Sequence, residues 1–96
     1  MTYYLATMSA NRHDYWPIIK EAIDKEFKDI HLVYDWPRVM DGFLATEFIS
    51  PSVKIAARRT LAEAEVNAIR DCDLFILCIP GGSGSMFEYG LALGLG

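Results

Sequence analysis

Cysteine, basic residues and long apolar runs are all scarce in this chain of 96 residues. Its two cysteines, Cys72 and Cys78, flank one apolar run, form no CxxC pair and have no histidine beside them. This pattern predicts buried free thiols in a reducing compartment. The longest apolar run, residues 74–80, is far too short to span a membrane. No signal peptide is visible in residues 1–7, so we expect a cytoplasmic protein that makes no membrane contact.

The charge balance argues against nucleic acid as a partner. Nine Lys and Arg stand against thirteen Asp and Glu, which gives a net charge of -4. Such a surface repels phosphate backbones. The nearest approach to a basic patch is Lys54, Arg58 and Arg59, which has no interleaved aromatics and is typical of a solvated helix face. His13 and His31 belong to no metal-ligand pattern, so we expect no metal site.

The length indicates a single domain, residues 1–96, with a small core. The hydrophobic fraction of 52% is slightly high for a globular chain. Residues 38–49 form the least regular stretch, yet they are too apolar for a simple solvated loop, and we interpret them as a lid or a partner contact. We therefore predict a homo-oligomer that buries this apolar surface.

Strand and helix patterns alternate along the chain. We predict strands at residues 2–8, 31–36 and 73–79 and helices at residues 15–28, 51–70 and 86–93. The order βαβ(loop)αβα predicts an α/β fold with a doubly wound parallel sheet, Rossmann-like or flavodoxin-like, in three αβα layers. The first strand should lie between the other two. The third strand is a continuous apolar run, which is typical of a parallel strand covered on both faces.

Two helices show core-facing stripes and start signals. Asp14 is a candidate cap for the first helix, and Ser50 followed by Pro51 is a strong start for the second. The predicted stripe of the first helix contains Tyr15, Ile19, Ala22, Ile23 and Phe27. That of the second contains Ala57, Leu61, Ala64 and Ala68, small residues that suit close packing.

Ligands of such sheets bind beyond the carboxyl ends of the strands. There the turn at residues 80–85 leads into the last helix, whose free N–H groups and dipole favour an anion. The turn is no P-loop, because no Gly-Lys-Ser/Thr follows, and it is no GxGxxG motif. Glu88 follows Ser85 by three residues, the spacing of a capping box. The dipole would then hold the Glu88 carboxylate ionised and aimed at the strand ends.

Two segments carry a family resemblance: Tyr4-Leu5-Ala6 in the first strand, and residues 84–94, GSMFEYGLALG. They resemble the paired signatures of the nucleoside 2-deoxyribosyltransferase superfamily, which are Tyr-Leu-Ala-Gly and, later, Gly-Thr-Ala-Phe-Glu-Leu-Gly. Asp73 and the apolar run behind it match the strand that precedes the second signature. The resemblance covers most of the chain, and its second motif is the specific one.

The resemblance implies roles for three residues. Glu88 matches the nucleophile that attacks the anomeric carbon of a 2-deoxynucleoside and forms a covalent glycosyl ester. Tyr4 matches the tyrosine that positions this carboxylate, although a core aromatic is an equal interpretation from the residues alone. Glu65 stands eight residues before Asp73, where members usually carry an Asp tied to proton transfer at the base. No cofactor is implied.

The substrate contacts follow less directly. Thr7 replaces the usual glycine after Tyr-Leu-Ala and narrows the site floor, and Gly82 stands where many transferases place a sugar-binding Asp. Trp36 is a candidate for stacking on a base, with a core role as the alternative. Ser83, Gly84 and Ser85 offer hydroxyl and N–H groups to a sugar or a 5′-phosphate. The strand and helix that usually follow in the superfamily have no counterpart in these residues.

Three functions stay open at this point. The first is transfer of deoxyribose between nucleobases. The second is hydrolysis of a 2-deoxynucleoside 5′-monophosphate, favoured by the serines and the lack of an acidic residue in the turn. The third is non-catalytic binding of a nucleotide or nucleotide sugar, favoured by the missing C-terminal elements.

Overall fold

The computed structural model describes the backbone of residues 1–78 and 83–95 and the side chains of residues 1–78 and 88–94. Strands and helices alternate, and a short 3₁₀ turn at Ser9–Asn11 follows the first strand. The elements are β1 Thr2–Ala6, α1 Tyr15–Glu26, β2 His31–Leu32, α2 Trp36–Ala45, α3 Pro51–Asp71, β3 Leu74–Leu77 and α4 Ser83–Leu95.

The three strands form one open parallel sheet in the order β2-β1-β3. The prediction that the first strand is central is confirmed. Its residues Tyr3 to Ala6 are completely buried and form the middle of the core. The expected covering of β3 on both faces is wrong for these residues, because Leu74 is 42% exposed and the rest of the strand is half-buried. A strand at the sheet edge has a neighbour on one side only.

Successive tyrosines of β1 project to opposite faces of the sheet, as the strand period requires. The Tyr3 hydroxyl donates to Asp24 of α1 at 2.8 Å, whereas the Tyr4 hydroxyl reaches Glu88 of α4. Helices α1 and α4 therefore contact opposite faces, and the described chain is a mixed α/β structure.

Strand β2 is shorter than predicted, so it cannot donate a hydrogen bond to the Leu5 carbonyl of β1. The side chains of two tryptophans donate to this carbonyl instead. The carbonyls of Met1 and Tyr3 accept from β2 and the residue after it, at 2.9 Å each. The next carbonyl on that side, Leu5, lies beyond the end of β2. It accepts from the indole N–H of Trp16 at 2.8 Å and from that of Trp36 at 2.7 Å. A buried carbonyl is thereby satisfied without a ladder partner.

The expected irregular stretch is wrong: most of it is helix α2. The missed signal is Asp35, whose side chain accepts from the Arg38 N–H at 3.2 Å, with a proline in the first turn. A cap and an early proline are an ordinary helix start. Phe43 packs against Phe48 at 5.2 Å between ring centroids and lies under the Arg58 guanidinium. Part of the apolar surface thus has partners within the chain.

The core-facing stripe of α1 is rotated from the prediction. Trp16 is its buried residue, with Ile19 and Ile23 packed beside it, whereas Tyr15 and Phe27 are each 60% exposed. Ala22 is also exposed, and Asp14 makes no side-chain cap bond. The Trp16 hydrogen bond to β1 selects the rotation, because the large indole then buries both its ring and its N–H.

Helix α3 agrees with its prediction. Ser50 accepts from the Val53 N–H at 3.3 Å as the cap. The stripe runs from half-buried residues near the start to a buried residue near the end: Ala57, Leu61, Ala64 and Ala68. Among residues 1–78 and 83–95, no helix combines the length and apolarity that crossing a bilayer requires.

Candidate active site

The face of the sheet under α3 and α4 carries one contact between residues 84 positions apart in the chain. The Tyr4 hydroxyl donates to Oε2 of Glu88 at 2.5 Å. The two residues that the resemblance pairs therefore lie within hydrogen-bond distance of each other. Glu88 is half-buried, neither sealed in the core nor turned away from the sheet.

Tyr4 is held rigidly, because it lies on the central strand and has no exposed surface. It pairs with Phe75 of β3 in the sheet, and the two rings stack with centroids 5.8 Å apart and planes 9° apart. Tyr89 of α4 also packs against Phe75, with 6.4 Å between the ring centroids. A tyrosine fixed in this way aims its hydroxyl at one point.

Helix α4 begins at Ser83, three residues earlier than predicted. Ser85 therefore lies within the first turn and is not the cap, so the capping-box interpretation of Ser85 with Glu88 is wrong. Gly84 and the two serines are tolerated here because first-turn N–H groups have no intrahelical acceptor to lose. Glu88 falls in the second turn, where the helix dipole has little effect.

Glu65 joins the same face from α3. The inner stripe of that helix places Leu61 and Ala64 toward the core. Glu65 follows Leu61 by one helical turn, at the edge of this stripe, and is half-buried. A carboxylate beside the apolar stripe of a helix can be recognised from the sequence alone. Burial raises the pKa of Glu65 above its usual range.

Burial also raises the pKa of Glu88, to about 7, from an ordinary value of 4.5. The hydrogen bond from Tyr4 counteracts burial, and the negative charge of Glu65 adds to it. Burial and the Glu88 charge raise the pKa of Tyr4, which therefore stays protonated and donates. The dipole is expected to hold Glu88 ionised, but burial has the larger effect and raises its pKa instead.

Two carboxyl groups with raised pKa values beside one fixed hydroxyl can do acid and nucleophile chemistry together. Near neutral pH, Glu88 is present in both protonation states, and its ionised form is a nucleophile. Glu65 lies on the same face, and the burial that raises its pKa favours the protonated form that a proton donor to a leaving group requires.

The predicted substrate-binding residues have mixed outcomes. Thr7 is buried directly after β1, and its hydroxyl donates to the Met8 carbonyl at 3.2 Å. Trp36 is 5% exposed, stands edge-on to Trp16 and donates its indole N–H to the Leu5 carbonyl of β1. Of the two interpretations of Trp36, the structure therefore agrees with the core role and not with stacking on a base. Gly82 lies outside the described residues. The backbone of residues 83–85 forms the start of α4.

One group near the strand ends was not anticipated. Asp41 of α2 accepts from Nε of Arg12 at 2.7 Å and contacts Nε2 of His13 at 2.6 Å. The sequence gives no sign of this pairing, because 28 or 29 positions separate the partners. Within residues 1–78 and 83–95, no group of three or more His, Cys, Asp and Glu could hold a metal ion.

Comparisons of the chain with protein-family models, with curated proteins and with solved structures give no significant match.

Proposed function

We propose that this chain cleaves the N-glycosidic bond of 2-deoxynucleosides and transfers the deoxyribose between nucleobases. The observation that carries the proposal is the hydrogen bond from Tyr4 to the Glu88 carboxylate. The resemblance to the nucleoside 2-deoxyribosyltransferases implies this pair from two short motifs at opposite ends of the chain. A hydroxyl aimed at a carboxylate on one face of a parallel sheet supports that implication.

In the proposed first step, a carboxylate oxygen of Glu88 attacks C1′ and forms a glycosyl ester. The C1′–N bond breaks, and the base leaves with its electron pair and a proton from Glu65. In the second step, the nitrogen of an acceptor base attacks C1′ and the ester C–O bond breaks, which regenerates the carboxylate. The acceptor's proton returns to Glu65. Two inversions retain the configuration at C1′, through oxocarbenium-like transition states.

The proposed roles of Tyr4 follow from its position. Its hydroxyl keeps one carboxylate oxygen occupied and leaves the other to face the sugar. By hydrogen-bonding to the charged form, it also offsets part of the desolvation that keeps Glu88 protonated. Both effects raise the fraction of reactive carboxylate in the right orientation.

We further propose that the sheet is the core of a doubly wound, three-layer, Rossmann-like fold. Contacts of α1 and α4 with opposite faces support this. The connection from β1 to β2 moves toward one edge of the sheet, and the connection from β2 to β3 returns past β1 to the other edge. The two crossovers therefore run in opposite directions. If both are right-handed, as such crossovers almost always are, their helices fall on opposite faces.

We also propose a homo-oligomer, as the apolar surface around the α2–α3 connection suggests. Leu44, Ile49 and Ile55 are 58%, 93% and 62% exposed and close together in sequence. A second copy would remove them from water. Sedimentation equilibrium at tens of micromolar (roughly the range in which interfaces of standard size persist) should give a multiple of the monomer mass. A monomer there would contradict the proposal. The cytoplasmic location stays a prediction.

Hydrolysis of a deoxynucleoside 5′-monophosphate is the second candidate. The start of α4 at Ser83 puts the backbone N–H groups of residues 83–85 in a first helical turn, where they have no intrahelical acceptor. Such a turn favours a phosphate.

The test is base release from a deoxynucleoside and from its 5′-monophosphate, each with and without an acceptor base. Transfer requires release that depends on acceptor and yields the exchanged nucleoside. Release from the monophosphate alone would indicate the hydrolase. Binding without release would indicate a non-catalytic module.

Two variants make the test specific. Glu88→Gln should abolish both reactions, because a neutral amide cannot form the ester. Acid quench of the wild type should leave a deoxyribosyl adduct on the peptide that contains Glu88, and the Gln variant should leave none. Glu65→Gln should slow release of the base, because an amide cannot supply the acidic proton that the leaving group takes. Its matched control is Glu63→Gln, because Glu63 is exposed on the same helix. Full activity of Glu88→Gln would refute the proposal.

A further inference from the structure

We propose that residues 8–14 form a strap at the carboxyl ends of the strands and that Asp41 holds this strap closed against helix α2. Both oxygens of the Asp41 carboxylate are used, each by a different residue of the strap. Oδ1 accepts from Nε of Arg12 at 2.7 Å, and Oδ2 contacts Nε2 of His13 at 2.6 Å. The proposal concerns a conformational device and does not depend on the glycosyl chemistry.

Within the part of the chain that the structure describes, the other hydrogen bonds of the strap are local. Asn11 donates to Met8, Arg12 to Ser9 and Asp14 to Asn11, all within the 3₁₀ turn and its continuation. Turns of this kind have poor hydrogen-bond geometry and little stability of their own. Among the described residues, Asp41 makes the polar contacts that join the strap to another element.

Arg12 links the two kinds of contact. Its Nη1 donates to the Ser9 carbonyl at 2.9 Å while its Nε donates to Asp41. One guanidinium thus ties the turn to itself and to α2. Arginine suits this role, because its planar fork of donors is rigid. The Arg12 side chain is 21% exposed and that of Asp41 39%, so the contact is partly screened from water.

Helix α2 is a firm anchor for the strap. Its first residues, Trp36 and Pro37, are buried, and the Trp36 indole is bonded to β1. The strap begins directly after Thr7, where β1 has ended, and α2 begins a few residues after the end of β2. The carboxyl ends of parallel strands lie at the same edge, which is where such sheets bind ligands. A closed strap therefore borders that edge, and its release would widen access.

Hydrogen–deuterium exchange of the whole chain, read by mass spectrometry, tests the strap. Asp41→Asn should speed exchange of the amides in residues 8–14 by about threefold or more, because two charge-assisted contacts are lost at once. Exchange in β1 and α3 should stay unchanged. Salt at about 1 M should speed exchange of the strap in the wild type and have little effect in Asp41→Asn. The matched control is Asp71→Asn, which removes an exposed aspartate at the end of α3.

A double variant tests whether Arg12 and Asp41 hold the strap through their contact with each other or act independently. Arg12→Gln should speed strap exchange, because it removes both the Asp41 contact and the hydrogen bond to the Ser9 carbonyl. Adding Asp41→Asn to Arg12→Gln should speed exchange by less than Asp41→Asn does in the wild type, because the Arg12–Asp41 contact can be lost only once. Arg12→Lys keeps the charge without the fork and should lie between wild type and Arg12→Gln, which provides a milder test if Asp41→Asn does not fold. The proposal is overturned if Asp41→Asn and Arg12→Lys leave strap exchange unchanged, or if the wild-type strap exchanges as fast as an unfolded peptide.

Discussion

Replacing Glu88 by Gln should change how stability depends on pH, whether or not the chain is an enzyme. In the folded chain, burial raises the pKa of Glu88 to about 7, whereas its ordinary value is 4.5. The folded state therefore holds this proton across a pH range in which the unfolded state has released it. Gln has nearly the same shape and accepts the Tyr4 hydrogen bond, yet it does not titrate.

The sign follows from proton linkage. A group whose pKa is raised on folding contributes stability that is fully present below its unfolded pKa and lost as the pH rises through its folded pKa. For Glu88 that window runs from 4.5 to about 7. A shift of this size corresponds to at most about 3.5 kcal/mol, at 1.36 kcal/mol per pKa unit. The wild type should lose up to that amount between pH 4 and 8, and the loss should be missing from Glu88→Gln.

The assay is urea unfolding of both proteins at intervals from pH 4 to 8. The unfolding free energy of Glu88→Gln relative to wild type should rise across the window. The pH dependence that comes from burial of Glu65 itself cancels, because Glu65 is present in both proteins. Glu63→Gln, which removes an exposed carboxylate of α3, should show no such rise. Tyr4→Phe should move the end of the window upward, because the Tyr4 hydrogen bond lowers the Glu88 pKa. A flat difference between Glu88→Gln and wild type would refute the assigned burial of the carboxylate.

Three further outcomes are expected. Deoxyribose transfer should accelerate as the pH is raised through about 7, where Glu88 ionises, and a pH-independent rate would contradict its role as the nucleophile. Tyr4→Phe should slow the transfer about 10- to 100-fold without abolishing it, because a hydrogen bond to a charged group is lost. In urea unfolding, the double variant Trp16→Phe/Trp36→Phe should lose about 1 kcal/mol more unfolding free energy than the two single variants lose in sum, because only the double variant leaves the Leu5 carbonyl unpaired. Additive losses would refute this. Ser50→Ala should cost about 1 kcal/mol of stability as a lost helix cap, and no loss would show that the cap is dispensable.

The candidate site was partly readable from the sequence. The motif around Glu88 and the tyrosine of the first strand predicted which two groups should meet, and they do. The start of α4 was misplaced, because glycine and serine favour a turn locally but are tolerated in a first helical turn. The direction of the Glu88 pKa was also misjudged. A helix position can be estimated from sequence spacing, whereas desolvation depends on what α3 and the sheet place around the carboxylate.

The sequence alone determined those helices and strands that depend on residues close together in the chain. The apolar run of β3, the alternation that predicts a parallel sheet and the Ser50-Pro51 start of α3 all act within a few residues, and each is observed. The tertiary structure decided what depends on distant partners. It set the end of β2, where two indoles replace a ladder bond to Leu5, and it set the rotation of α1 around Trp16. Asp41, Arg12 and His13 likewise meet only because folding brings α2 beside the end of β1, since no short-range pattern links charges so far apart in the chain.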